Sequence, residues 1–157
     1  MKKRLVWTVT AVLYILFIYS NSLKTADLSS VDSGHVLEYL RNLFISAGIE
    51  SRWLTEHIIR KAGHFSEYTL LGIILYQCVK SYEITMEKRL FIHGMAGFLI
   101  PFIDETIQLF VPGRSGQISD VWLDCSGVVA GTAIAALLFF IYAKKNGVKY
   151  DKLPDYS

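Results

Sequence analysis

Two stretches of this chain, residues 5–23 and 125–143, contain no Asp, Glu, Lys or Arg. Each has about the 20 residues that a helix needs to cross a lipid bilayer. The first stretch follows three cations, as the apolar core of a secretory signal does, but no small-residue cleavage site follows it cleanly. The pattern therefore predicts two membrane-spanning helices, the first of them retained.

Two further apolar stretches are interrupted by polar groups. Residues 68–79 are short, and they need the preceding turn with His64 and Glu67 to reach the far side of a bilayer. Residues 90–111 are long enough, but they include Pro101, which lacks an N–H group and is expected to kink a helix. The predicted fold is an all-α integral membrane bundle in one domain, residues 1–157, with four transmembrane helices at about 5–23, 62–79, 89–111 and 119–143.

Residues 24–61 form the sizeable segment outside the predicted spans. Apolar residues recur there at helical spacing with polar residues on the other face: Val36, Leu37, Leu40, Leu43, Phe44 and Ala47 against Glu38, Arg41 and Asn42. This spacing predicts an extracellular amphipathic helix, which either lies at the membrane surface or caps the bundle. Gly48 is expected to end this helix, and Ser51 to cap a second helix through Trp53, Leu54 and Ile58.

Composition and charge fit this topology. Hydrophobic residues make up 52% of the chain and the mean hydropathy is +0.36, which is too apolar for an ordinary soluble domain. One side of the predicted membrane receives ten cations: Lys2, Lys3, Arg4, Lys80, Lys88, Arg89, Lys144, Lys145, Lys149 and Lys152. The other side receives six: Lys24, Arg41, Arg52, Arg60, Lys61 and Arg114. The bias predicts cytoplasmic termini, and cations spread in this way give no indication of nucleic-acid binding. Cys78 and Cys125 lie within spans and are expected to pack there rather than to form a disulfide.

Carboxylates near one end of the last three spans are the informative exception to this apolar pattern. Counting from the cytoplasmic cations at about 1.5 Å per residue puts Glu67, Asp104 and Glu105 in the outer leaflet, and Asp120 and Asp124 near its surface. Ionisable groups within membrane segments are costly and usually mark a site. The topology thus predicts that all five acids meet at the extracellular end.

Residues three or four positions apart lie on the same face of a helix. This spacing groups His64, Glu67 and Tyr68 on one face of the second span, Asp104 and Gln108 on one face of the third, and Asp120, Asp124, Gly127 and Gly131 on one face of the fourth. The two glycines are expected to allow close helix approach below the acids. A tight loop from Pro112 to Gly116 brings Arg114 to the same surface.

The five acids exceed the nearby Lys61 and Arg114 by three negative charges when His64 is neutral. Either some of the carboxyls stay protonated or a cation, metal ion or cationic ligand group is bound. The alternative is that the acids only hydrogen-bond neighbouring helices and cap helix ends, as Asp120 does if it begins the fourth helix.

Three motifs occur in order: Lys61-Ala-Gly-His64-Phe65-Ser-Glu67-Tyr68, then Asp104-Glu105-Thr-Ile-Gln108-Leu-Phe110-Val-Pro112-Gly113-Arg114, then Asp120 and Asp124 followed by Gly127 and Gly131. In order and spacing they resemble the VanZ-like family of bacterial membrane proteins. Where many members have an amide, this chain has Asp124, which adds negative charge. The resemblance implies a bacterial cell membrane and a link to teicoplanin-type glycopeptide resistance or envelope homeostasis, but it names no reaction.

Three functions fit these residues. The first is binding or transport of a lipid-linked or glycopeptide headgroup in the acidic pocket, with Lys61, His64, Glu67, Tyr68, Asp104, Glu105, Gln108, Arg114, Asp120 and Asp124 as candidate binding residues. The second is a membrane hydrolase or transferase acting on a cell-wall precursor or lipid, with catalytic candidates His64, Glu67, Asp104 and Glu105. In that enzyme Asp104, Glu105 and Asp120 would hold a divalent cation. The third is a structural bundle whose acids only assemble helices.

Overall fold

The computed structural model describes residues 1–146, which form five α-helices and, within that range, no strand. Their bounds are α1 Lys2–Ser22, α2 Ala26–Ser46, α3 Glu56–Lys80, α4 Met86–Gln108 and α5 Ile118–Lys145. The predicted topology cations Lys149 and Lys152 lie outside the described residues. The all-α prediction is confirmed.

Three helices, α1, α4 and α5, are long and apolar enough to cross a membrane. Large apolar side chains on each of them point away from the protein, among them Leu13, Phe91 and Leu138, as expected for helices in contact with lipid. The chain is therefore a membrane protein. With 25 residues α3 is also long, but Arg60, Lys61 and Glu67 interrupt its first half.

The centre of the bundle is α3, which contacts each of the other four helices. It buries Tyr68, Leu71 and Leu75 against Ile18 of α1 and Val128 of α5. Tyr68 and Leu71 have no exposed surface at all. His64 and Glu67 in the first half of α3 consequently lie among other helices, whereas Glu56, His57 and Arg60 are exposed.

Small residues let α3 and α5 approach each other closely, as predicted from the two glycines of α5. A Cβ at Gly131 would overlap the Thr69 carbonyl oxygen, and one at Gly127 would lie 2.7 Å from the Phe65 carbonyl oxygen. On α3, a Cβ at Gly72 would overlap the Val128 carbonyl oxygen. Because backbone meets backbone here, this pair of helices fixes the height of His64 relative to Asp124.

The segment between α1 and α3 agrees with the prediction in one part and differs in another. Gly48 has φ 71° just after the end of α2, so glycine does end that helix. The predicted helix start at Ser51 is wrong. Residues 51–54 form a turn closed by a hydrogen bond from the Leu54 N–H to the Ser51 carbonyl, and Thr55 caps α3 by accepting a hydrogen bond from the Ile58 N–H at 3.4 Å.

Candidate functional site

Polar side chains gather at one end of the bundle, where α1 and α4 finish and α3 and α5 begin; we call this the polar end. The loop of residues 109–117 closes it, with Gly113 at φ 76° making the turn. The Ala26 N–H donates a hydrogen bond to the Pro112 carbonyl at 3.3 Å, so the start of α2 is tied to the same loop. Four helices and this loop therefore supply side chains to one place.

Asp104 lies at the centre of the polar end and is 1% exposed. The Ser22 hydroxyl donates a hydrogen bond to its Oδ1 at 2.5 Å. The Gln108 amide, one turn further along α4, donates to its Oδ2 at 3.3 Å. Residues from α1 and α4 thus hold this carboxylate in one orientation.

Glu105, the next residue of α4, is also buried and is held from two directions. Gln108 donates to its Oε1 at 3.0 Å, and the Gln117 backbone N–H donates to its Oε2 at 3.0 Å. Gly116 allows this second contact, because a Cβ there would overlap the Glu105 carbonyl oxygen. The backbone of the loop before α5 is therefore in direct contact with Glu105.

Asp124 is fully buried, and its environment differs from that of Asp104 and Glu105. Among the described residues neither of its oxygens accepts a hydrogen bond. His64 Nδ1 lies 3.5 Å from Asp124 Oδ1, within ion-pair distance but without hydrogen-bond geometry. The buried Tyr68 side chain interacts with the carboxylates of both Asp104 and Asp124.

His64, Asp104, Glu105 and Asp124 form a compact group that we call the four-residue cluster. One potential metal ligand atom from each residue lies within 4.8 Å of those of the other three. Three helices contribute, and the acidic members are at most 4% exposed. The cluster is able to bind a cation or to exchange protons between a histidine and a carboxylate.

Two of the predicted acids lie beside the cluster, each with its own partner. Glu67 accepts a hydrogen bond from the Asn21 amide at 3.0 Å. Asp120 pairs with Lys61, whose Nζ lies 2.7 Å from Oδ1. The structure thus gathers all five acids at the polar end, but it divides them between a buried cluster and two outer contacts.

Two cavities open beside the cluster. The larger, of about 400 Å³, lies between the end of α1, α2 and the first half of α3, and His64 and Glu67 line it. The smaller, of about 100 Å³, is lined by residues that include His64, Gln108 and Lys61. His64 lines both, so the cluster is reached from either cavity.

Arg60 and Arg114 line both cavities, and neither is in an ion pair in the part of the chain that the structure describes. Burial and then the neighbouring Arg60 guanidinium lower the pKa of Arg114 from its ordinary value. The carboxylates of Asp104, Glu105 and Glu67 oppose this shift, although none of them lies within ion-pair distance of Arg114. Guanidinium groups without an ion pair are suited to binding an anion.

Sequence reasoning did not include Asn21, Ser22, Arg60 and Gln117 among the candidate site residues. For Asn21 and Ser22 the available signal was their position at the end of the apolar span of α1, because polar side chains at the end of a span need partners. Gln117 acts through its backbone N–H, for which the sequence carries no signal. In the sequence, Arg60 does not differ from other cations near the end of a span. Its place in the site becomes visible only when α3 is packed next to the loop of residues 109–117.

Comparison with known proteins assigns the chain to a family. A family model described as VanZ/LLP1 matches residues 5–140. The chain belongs to the VanZ/LLP1 family. The matched range contains most of α1, all of α2, α3 and α4, most of α5 and every residue of the polar end described above, so the resemblance noted from the three motifs is confirmed. No curated protein and no solved structure matches the chain.

Proposed function

We propose that this VanZ/LLP1 protein crosses the bacterial cell membrane four times as one domain, with α3 as the fourth crossing helix and both termini in the cytoplasm. The length of α3, about 37 Å at 1.5 Å per residue, supports this, as do the contacts of Lys61, His64 and Glu67 with residues of other helices. The excess of Lys and Arg at the opposite end of the bundle supports an extracellular polar end. On this topology α2 lies at the outer membrane surface.

We further propose that the polar end binds the phosphate-bearing headgroup of a lipid-linked cell-envelope precursor. The observation that carries this proposal is the pair of unpaired cations, Arg60 and Arg114, lining both cavities. Arginine is the side chain that best matches phosphate geometry, through paired N–H donors. Free phosphate would also neutralise the charge of the two arginines. The proposal that the phosphate belongs to a lipid therefore rests on the walls of the larger cavity.

Those walls suit a headgroup attached to an alkyl chain. They include polar groups that suit sugar hydroxyls, Asn21, Ser66 and Glu67, and the apolar side chains of Val36, Leu40 and Ile59. A site of this kind, concave and largely apolar with a few convergent polar groups, is typical of small-molecule binding. The alkyl chain itself would stay in the bilayer beside α1 and α2.

Binding of a polyprenyl-phosphate-linked sugar to protein in neutral detergent tests the proposal. The double variant Arg60→Gln and Arg114→Gln should weaken binding by about a hundredfold or more, because each lost charged contact to a phosphate costs more than about 1.4 kcal/mol, which is tenfold in affinity. Arg52→Gln is the matched control, because Arg52 is exposed and pairs with Glu50 at 3.0 Å. Equal affinity of the double variant and the wild type would refute the proposal. Tight competition by inorganic phosphate or by phosphatidylglycerol would instead assign the site to an ordinary anion or phospholipid.

We also propose a phenotype on the strength of family membership, namely reduced susceptibility to teicoplanin-type glycopeptides or altered envelope homeostasis. Expression in a susceptible Gram-positive host should raise the minimal inhibitory concentration of teicoplanin, and the arginine double variant should not. If both raise it equally, the headgroup site plays no part in resistance.

A further inference from the structure

Buried polar atoms without partners point to a second ligand at the polar end. Asp124 has no exposed surface, yet neither of its oxygens accepts a hydrogen bond within residues 1–146. His64 Nδ1 faces Asp124 Oδ1 at 3.5 Å, which is a long ion-pair contact. Leaving a buried polar group short of hydrogen bonds costs about 1–3 kcal/mol, and more when it is charged, so this contact calls for a ligand that both side chains can bind.

We propose that His64, Asp104, Glu105 and Asp124 bind a single divalent metal ion. One ligand atom from each residue already lies within 4.8 Å of the others. Opposite ligands of an octahedral ion at about 2.1 Å are separated by about 4.2 Å, and the ligands of a tetrahedral ion at the same distance by about 3.4 Å. The widest spacing therefore needs to contract by about half an ångström for an octahedral ion such as Mn²⁺, and by more than about 1 Å for tetrahedral Zn²⁺, through side-chain rotation.

The donor set narrows the identity of the ion. Carboxylates suit Mg²⁺, Ca²⁺ and Mn²⁺, whereas imidazole suits Zn²⁺ and other first-row transition metals. One imidazole with three carboxylates therefore favours Mn²⁺ or Zn²⁺ over the purely oxygen-bound ions. Thiolate-preferring ions are disfavoured, since the ligand set contains no sulfur.

Neighbouring groups already orient the carboxylates as outer-shell partners of a metal ion do. Ser22 and Gln108 donate to Asp104, and Gln108 and the Gln117 N–H donate to Glu105. These bonds use only part of the acceptor capacity of each carboxylate, because every oxygen has two lone pairs. Asp124, which has no such donor, is the ligand that depends most on the ion.

The charge of the cluster also favours binding of a divalent cation. Three buried carboxylates with a neutral histidine carry a formal charge of −3, and the adjacent Asp120 already has its own cation in Lys61. A divalent ion reduces the cluster to −1, which removes most of the repulsion at low dielectric. From the sequence Asp120 is a candidate metal ligand; in this proposal Asp124 and His64 are ligands in its place.

Metal binding is measured on full-length protein in neutral detergent, stripped with chelator, by elemental analysis after Mn²⁺ or Zn²⁺ loading and by titration calorimetry. We expect one ion per chain. Asp124→Asn should weaken binding by more than the about 10–100-fold that loss of an outer-shell partner costs, whereas Asp120→Asn should weaken it far less, because Asp120 is a neighbouring charge and not a ligand. No lipid is needed, and the arginine double variant should bind metal at least as tightly as the wild type, because it removes positive charge near the ligands. Failure here is therefore distinguishable from failure of the headgroup proposal.

A stability measurement separates a metal ligand from a merely structural carboxylate. In chelator, Asp124→Asn should be at least as stable to heat as the wild type, because the amide removes one of three neighbouring buried negative charges. Added Mn²⁺ or Zn²⁺ should raise the melting temperature of the wild type and not of the variant. Absence of stoichiometric metal, or equal metal affinity of wild type and Asp124→Asn, would overturn the proposal.

Discussion

Ser22, the last residue of α1, donates a hydrogen bond of 2.5 Å to Asp104 Oδ1 near the end of α4, and both residues are buried. Removing the hydroxyl by Ser22→Ala should destabilise the protein by about 1.5–3 kcal/mol, because the bond is to a carboxylate and its loss leaves a buried acceptor short of a donor. Thermal unfolding in detergent measures the loss. Ser20→Ala is the control, since Ser20 is exposed and bonds its own helix at Phe17; equal effects of the two variants would contradict the assignment.

The close approach of α3 and α5 makes a sharper stability prediction. Gly131→Ala places a methyl group into the Thr69 carbonyl oxygen, and backbone has little room to move. Overpacking of this kind costs about 1–3 kcal/mol or more, so the variant should show a lower melting temperature and a lower folded yield by size-exclusion chromatography. Gly94→Ala in α4 is the matched control, because nothing lies within 4 Å of its Cβ position. A Gly131→Ala protein as stable as Gly94→Ala would show that the helices are further apart.

Lys61 and Asp120 should behave as an energetic pair of their own. Their atoms are 2.7 Å apart and both side chains are partly exposed, so a coupling of about 1 kcal/mol is expected from a double-mutant cycle of Lys61→Met and Asp120→Asn. The exchanged variant, Lys61→Asp with Asp120→Lys, should recover part of the stability that either reversal alone removes. Strict additivity of the single changes would mean that the two residues do not interact.

The convergence of the acids was predictable, whereas their division was not. Alternating helix direction and depth counting brought Glu67, Asp104 and Asp124 to one end, and spacing alone indicated the close packing at Gly127 and Gly131. Sequence spacing also put Asp120 and Asp124 on one face of α5, but it carries no information on how neighbouring helices are rotated about their axes.

The rotation of α3 decides which acid belongs to which contact. It presents Lys61 to Asp120 and His64 to Asp124, although all four residues share one end of the bundle. In the same way, His64 and Glu67 lie on one face of α3, but the two side chains have different partners. The end of α1 lies next to this face, and the Asn21 amide donates a hydrogen bond to Glu67. Periodicity assigns faces, and only the packed structure assigns partners.

The two unpaired arginines should make the ligand-free protein less stable than it could be. Arg60→Gln removes the neighbouring charge that helps to lower the pKa of Arg114, and should stabilise the protein by up to about 0.5 kcal/mol at low ionic strength. The gain should shrink in 1 M salt, where charges are screened over about 3 Å. Arg52→Gln should show no such gain, because it breaks an exposed ion pair instead. Thermal unfolding at the two salt concentrations provides the comparison, and a loss of stability in Arg60→Gln would indicate that Arg60 has an acidic partner.

Whether α3 crosses the membrane decides the topology, and two loops test it. In a background with Cys78 and Cys125 changed to alanine, single cysteines replace Glu50, between α2 and α3, and Glu83, between α3 and α4; both native side chains are exposed. A membrane-impermeant maleimide applied to intact cells should label the cysteine at position 50, and that at position 83 only after permeabilisation. If α3 does not cross the membrane, both positions lie on the same side and should be labelled alike. That result would mean that the protein crosses the membrane three times, through α1, α4 and α5.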